Sequence, residues 1–158
     1  MTDAMSDPGS DLQRLLALEE IRSLKARYFR AIDTKDWLTF KSCFTPDAVM
    51  DVSGEGERLI PSEDGVYRGA DAIAAWGERA AREVQTRHHV LMPEIDFDSP
   101  VSARGIWAIE DRFWWREGSS SPHRTLHGWG YEYETYRKLE AGWRIATSRF
   151  KRLRTEYA

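Results

Sequence analysis

Ile21-Arg22-Ser23-Leu24-Lys25-Ala26-Arg27-Tyr28-Phe29-Arg30-Ala31-Ile32-Asp33-Thr34-Lys35-Asp36-Trp37 is the stretch whose reading decides the fold. With Leu18 just ahead of it, Ile21, Leu24, Tyr28 and Ile32 recur at steps of three and four, which places them on one stripe of an α-helix. Ser23, Arg27, Arg30 and Thr34 follow the same steps on the wet side. Asp33 stands one residue past Ile32 and four past Phe29, at the border of the apolar stripe. A carboxylate there is expected to be half-buried or to face a cavity. The helix is expected to start near Asp11, a residue type suited to an N-cap, and to end near Thr34. Asp36 is placed to cap a second helix over 37–44, closed by Pro46.

Outward from this stretch, 158 residues make one domain with a core of its own. Residues 1–10 lack the basic start and apolar centre of a signal peptide and read as a flexible tail, leaving 11–158 as the domain. The balance of 23 basic and 26 acidic residues gives no reason to expect nucleic acid. No run approaches the roughly 18–20 apolar residues that span a bilayer, so no membrane partner is expected. Cys43 is the only cysteine, which rules out an intrachain disulfide and fits a cytoplasmic setting. Seven tryptophans in so small a domain imply an aromatic core or an aromatic-lined pocket.

Beyond the second helix, 48–52 alternates briefly, and turn residues at 54–56 and 61–65 suggest a ragged hairpin that ends near Tyr67-Arg68. Gly69 and Asp71 open a third helix carrying Ile73, Trp76 and Ala80 on one face. From Thr86 the pattern turns to strands, over 86–91, 94–97, 103–115, 125–139 and 143–153. Helices first and a strand meander last predict an α+β domain with helices on one face of a curved antiparallel sheet. In the strand 125–136, His127, Trp129, Tyr131 and Tyr133 share one face, and Gly128 and Gly130 lie opposite.

His88 and His89 are adjacent in a strand, so one of them faces the helices. Imidazole suits reversible proton transfer near neutral pH, and a carboxylate on its far nitrogen fixes the tautomer. An Asp33–His88 pair would be such a device, although a structural hydrogen bond is the plainer reading. Tyr28 is equally readable as a core aromatic. His123 and His127 are four apart, but on strand or loop, so helical metal spacing does not apply. No phosphate loop and no Gly-x-Ser-x-Gly elbow occur, and neither metal nor cofactor is expected.

The segments 21–28 and 31–37, Cys43-Phe44-Thr45-Pro46-Asp47-Ala48, Tyr67-Arg68-Gly69-Ala70-Asp71-Ala72-Ile73, Thr86-Arg87-His88-His89 and Gly142-Trp143-Arg144-Ile145 resemble SnoaL-like proteins of the nuclear-transport-factor-2-like superfamily. The resemblance runs from about residue 12 to 153. It implies a cone in which three helices pack on the concave face of a strongly curved sheet around a deep pocket. Within the family the pattern is most similar to scytalone dehydratases, bile-acid 7α-dehydratases and hexachlorocyclohexane dehydrochlorinases, which use an Asp–His pair for eliminations. By position, the resemblance puts that pair on Asp33 and His88, a pocket tyrosine on Tyr28, a pocket arginine near Arg144 and a second pocket histidine on His127. The stretch 54–65 is unlike those relatives, so the pocket mouth does not transfer.

These readings give three hypotheses. One is a cofactor-independent lyase or isomerase acting on a hydrophobic cyclic molecule, with Asp33, His88 and Tyr28 catalytic and Arg144, His127, Trp76, Trp129 and Tyr131 contacting the substrate. Another is a small-molecule binding protein without catalysis. The third is an association module that uses the outer sheet face. The resemblance also implies a homo-oligomer, dimer or trimer.

Overall fold

The apolar stripe does form the buried side of a long helix. The computed structural model describes residues 8–54 and 64–158, so the hairpin expected across 55–63 and the tail over 1–7 lie outside the described residues. Helix α1 spans Pro8–Thr34, an earlier start than Asp11. Proline suits a first turn, where its missing N–H would have had no helical partner. Ile21, Leu24, Tyr28 and Phe29 are buried, and Ser23, Arg27, Arg30 and Thr34 are exposed.

The helix stops through backbone geometry. Lys35 adopts φ 59, while its N–H bonds the Ile32 carbonyl at 3.0 Å and the Asp36 N–H bonds the Ala31 carbonyl at 2.8 Å. This paired closure is a Schellman cap, made here with a lysine in the left-handed position that glycine usually takes. The turn leaves Asp36 to cap α2, Trp37–Ser42, by accepting the Thr39 N–H at 3.0 Å. Helix α2 is shorter than the expected 37–44, because Phe44 already begins β1, Phe44–Gly54, and Pro46 lies inside that strand. Then follow β2 (Val66–Arg68), α3 (Ala70–Ala80), β3 (Val84–Val90), β4 (Glu94–Ser99), β5 (Ser102–Trp115), β6 (Thr125–Leu139) and β7 (Gly142–Tyr157).

Among the described residues these strands form one seven-stranded sheet in the order β2-β1-β7-β6-β5-β3, with β4 also on β5. All pairs are antiparallel except β1 with β7, which is parallel, so the sheet is mixed. Three helices pack on its concave face, the cone expected from the resemblance.

Period-two alternation decides what enters the cone. The covered face of β5 presents Ala103, Trp107, Ile109, Asp111 and Phe113, and that of β6 presents Leu126, Gly128, Gly130, Glu132, Glu134 and Tyr136. The glycines allow close approach where the β6–β7 register shifts at Trp129/Gly130. A Cβ on Gly130 would sit 2.5 Å from the Lys151 carbonyl oxygen and 2.7 Å from Phe150 Cζ. Because the first obstacle is backbone, Gly130→Ala is expected to cost about 1–3 kcal/mol in urea unfolding. A wild-type midpoint would mean that β7 moves aside freely.

Candidate functional site

Asp33 sits in the last turn of α1, and its carboxylate meets one side of β3. Thr86 and His88 are two apart on that strand, so both reach the same acid. Asp33 Oδ1 accepts from Thr86 Oγ1 at 2.9 Å and lies 2.7 Å from His88 Nδ1, while Oδ2 accepts the His88 backbone N–H at 3.1 Å. Gln85 Nε2 donates to the Asp33 carbonyl at 3.1 Å and ties the helix end to the strand. The two side chains are 9% and 10% exposed, so the pair is largely dry. Burial alone would raise the Asp33 pKa, but the bonds from the His88 ring and backbone and from Thr86 outweigh it and hold the pKa below its ordinary value.

An ionised Asp33 makes Nδ1 the protonated ring nitrogen and leaves the lone pair on Nε2. Nε2 has no partner among the described residues. The ring stacks on Phe29 at 4.7 Å and meets the edge of Phe113 at 5.8 Å. His89, the other half of the histidine pair, is exposed on the opposite face.

His88 lines a cavity of about 70 Å³ between helices and sheet. Its walls are mostly apolar, with Phe29, Ile32, Trp76, Ile109, Phe113 and Phe150, and its polar members are Tyr28, Thr86, His88, Asp111 and Glu132. Asp111 is the cross-strand neighbour of His88 and accepts from Arg152 Nη1 on both oxygens, at 2.8 and 2.9 Å. Gly128, beside Asp111 on β6, makes room for this pair, since a Cβ there would fall 2.1 Å from Arg152 Nη1. Glu132 accepts from Lys25 Nζ at 2.6 Å, Ser148 Oγ at 2.5 Å and, at a long 3.4 Å, from the Tyr28 hydroxyl. Lys25, 1% exposed, also donates to Glu134 at 2.7 Å, and Glu134 accepts from Tyr136, which accepts from Trp107 Nε1.

The cavity therefore brings together Tyr28, His88 and Trp76, with Asp33 bonded behind the imidazole. The structure corrects the placing of the other four expected residues. His127, Trp129 and Tyr131 leave β6 on the outer face, because the alternate residues, with the two glycines, are the ones under the helices. His127 Nε2 is joined to Glu110 at 2.6 Å, and its ring lies 4.0 Å from that of Trp129. Arg144 donates to the Trp143 carbonyl and borders a separate groove with Leu16, Ser23 and Arg27 of α1.

Lys25, Thr86, Asp111, Glu132 and Arg152 were missed as members of the site. Lys25 interrupts the apolar stripe midway between Ile21 and Phe29, and Asp111 falls in step between Ile109 and Phe113. A charge in the phase of a buried pattern was the available signal. Among the described residues no group of three or more His, Cys, Asp or Glu is arranged to hold a metal ion, and no helix is long and apolar enough to cross a membrane.

The SnoaL-like domain model matches residues 13–149. The chain belongs to the SnoaL-like family. A Gibberella zeae protein named "Probable cyclase FGR4" is 27% identical over 135 residues, covering 84% of this chain and 89% of that protein. Among solved structures, a hexachlorocyclohexane dehydrochlorinase of LinA type 2 superposes with a TM-score of 0.79 at 16% identity, covering 94% of this chain and 93% of that one. A scytalone-dehydratase-like protein of Novosphingobium aromaticivorans gives 0.77 at 16% identity, covering 92% and 90%. At these identities the structural likeness concerns the fold alone.

The charged network under the SnoaL-like pocket has a pH consequence. Burial, above all, raises the Glu134 pKa; Lys25 opposes the rise and Glu132 adds to it. The fold thus favours the protonated acid. Its contribution to stability is complete below the unfolded carboxylate value and is lost as pH rises through the raised one. In urea unfolding from acid to neutral pH, Glu134→Gln is expected to lose less stability than the wild type, and parallel curves would refute this.

Proposed function

We propose that this chain is a cofactor-independent lyase or isomerase acting on a hydrophobic cyclic small molecule, with His88 as the proton-transferring group. One observation carries the reading: the 2.7 Å bond from His88 Nδ1 to Asp33 in a largely dry setting leaves Nε2 as the acceptor beside an apolar cavity. In an elimination, Nε2 takes a proton from carbon and the C–H electron pair becomes the new double bond. The leaving hydroxyl departs with its own bonding pair and takes the proton back from the imidazolium, as water. Asp33 remains ionised and stabilises that imidazolium. Tyr28 would turn its hydroxyl from the long contact with Glu132 to a substrate oxygen where negative charge builds up. Trp76, stacked 5.2 Å from Tyr67, supplies a flat wall.

Removal of a proton from carbon also begins many ring closures, so the name of the Gibberella zeae relative is compatible with the same base. The compound to assay is the one retained by natively purified protein and identified by mass spectrometry. On it, His88→Ala is expected to lower kcat by about 10²–10⁴-fold. Asp33→Asn, which keeps the ring in place and removes the charge behind it, is expected to lower kcat by roughly 10²-fold or more. His88→Gln and circular dichroism separate lost chemistry from lost folding. Unchanged turnover in the folded variants would overturn the assignment.

A second reading concerns assembly. Trp114, Tyr131 and Tyr133 stand 43%, 38% and 41% exposed on strands β5 and β6, and the proposal includes a homo-oligomer that covers them. Light scattering is expected to give a multiple of the chain mass, and a strict monomer would remove this part.

A further inference from the structure

We propose that the cavity selects neutral ring compounds bearing hydroxyl donors and rejects anions, with Asp111 as the recognising acceptor. The proposal rests on the cavity being the ligand site and is independent of proton transfer by His88. Its basis is the direction of the polar groups. Among the described residues three acceptors border the cavity: Nε2 of a histidine nine-tenths buried, which has no partner among them, the Asp111 carboxylate and the Glu132 carboxylate. The nearby hydroxyl donors are already engaged, Thr86 with Asp33 and Tyr28 with Glu132.

Each carboxylate is neutralised from one side only. Arg152 reaches Asp111 across Gly128 through a single nitrogen and does not itself line the cavity, and Lys25 holds Glu132 from the helix side. A carboxylate has about four lone-pair sites, and one bifurcated nitrogen leaves some of those on Asp111 unfilled at 3% exposure. A ligand hydroxyl fills them with a charge-assisted bond. A carboxylate or phosphate would instead face three acceptors, two of them negatively charged, with only the Tyr28 hydroxyl to give in return. Glu132, with Lys25, Ser148 and Tyr28 already upon it, has less capacity, which makes Asp111 the discriminating group.

Three probes built on one benzene ring test this by calorimetry on the full chain: phenol, anisole, which lacks the donor, and benzoate. The wild type is expected to bind the phenol about tenfold or more tightly than the anisole, the scale of a hydrogen bond to a charged group, and to bind the benzoate not at all. Asp111→Asn should shrink the first preference. The double variant Asp111→Leu with Arg152→Met, which replaces the ion pair by apolar volume and so keeps a folded protein for the test, should abolish it. Equal binding of the three probes, no binding of the phenol at millimolar concentration, or a preference that survives in the folded double variant would each overturn the proposal. The preference is read by binding in the Asp111 variants and proton transfer by turnover in the His88 variants, so failure of the recognition reading and failure of the proton-transfer reading are distinguishable.

Discussion

The Lys25 ammonium between Glu132 and Glu134 sets the roll of α1 over the sheet. Its side chain is 1% exposed and lies 4.5 Å from the Tyr28 ring and 4.7 Å from the Phe29 ring, so it has given up its water. Desolvating an ion that deeply costs several kcal/mol, and only partners in good geometry offset it. Rotating α1 to another face would strand the cation or the two carboxylates. With the roll fixed at Lys25, Tyr28 is directed into the cavity and Asp33, about two turns further on, arrives against β3. The polar contact under the helix thus acts less as a source of net stability than as a constraint on alignment.

Much of this arrangement was legible in the chain. The three-and-four spacing marked the buried side of α1, Asp36 marked the start of α2, and period-two runs placed β3 to β7 within a few residues of their observed limits. Adjacent histidines in a strand had to part, and His88 took the inner face. The misreadings have one physical source. The aromatic face of β6 looked like the side that belongs in a hollow, yet burial fell to the face with Gly128, Gly130 and two glutamates, because close approach of β7 and the reach of Lys25 and Arg152 fix what enters. Such decisions depend on partners well along the chain, with Lys25 and Glu132 at a separation of 107 and Arg152 and Asp111 at 41. No local pattern contains them.

The site that results joins two kinds of wall. Helix residues and the inner aromatics exclude water, while β3, β5 and β6 bring His88, Asp111 and Glu132 to the cavity. The acids are tied from behind by cations that come from other elements, Arg152 from β7 and Lys25 from α1. His88, Asp111 and Glu132 thus each have their orientation set by a neighbour that does not line the cavity, Asp33, Arg152 and Lys25 in turn, the kind of support that keeps a site in one geometry before any ligand enters.

The parallel pairing of β1 with β7 also governs the order in which this molecule can be assembled. Val49 lies beside Thr147 and Met50 beside Ser148, so β1 finds its main neighbour only after β2 to β6 have passed in sequence. During synthesis, β1 has only the short β2 to hold one edge until Gly142–Tyr157 has left the ribosome. Loop closure over such a span is entropically slow and leaves a strand edge open to wrong partners in the meantime. Closing the hollow therefore requires β7, the strand that lies between β1 and β6.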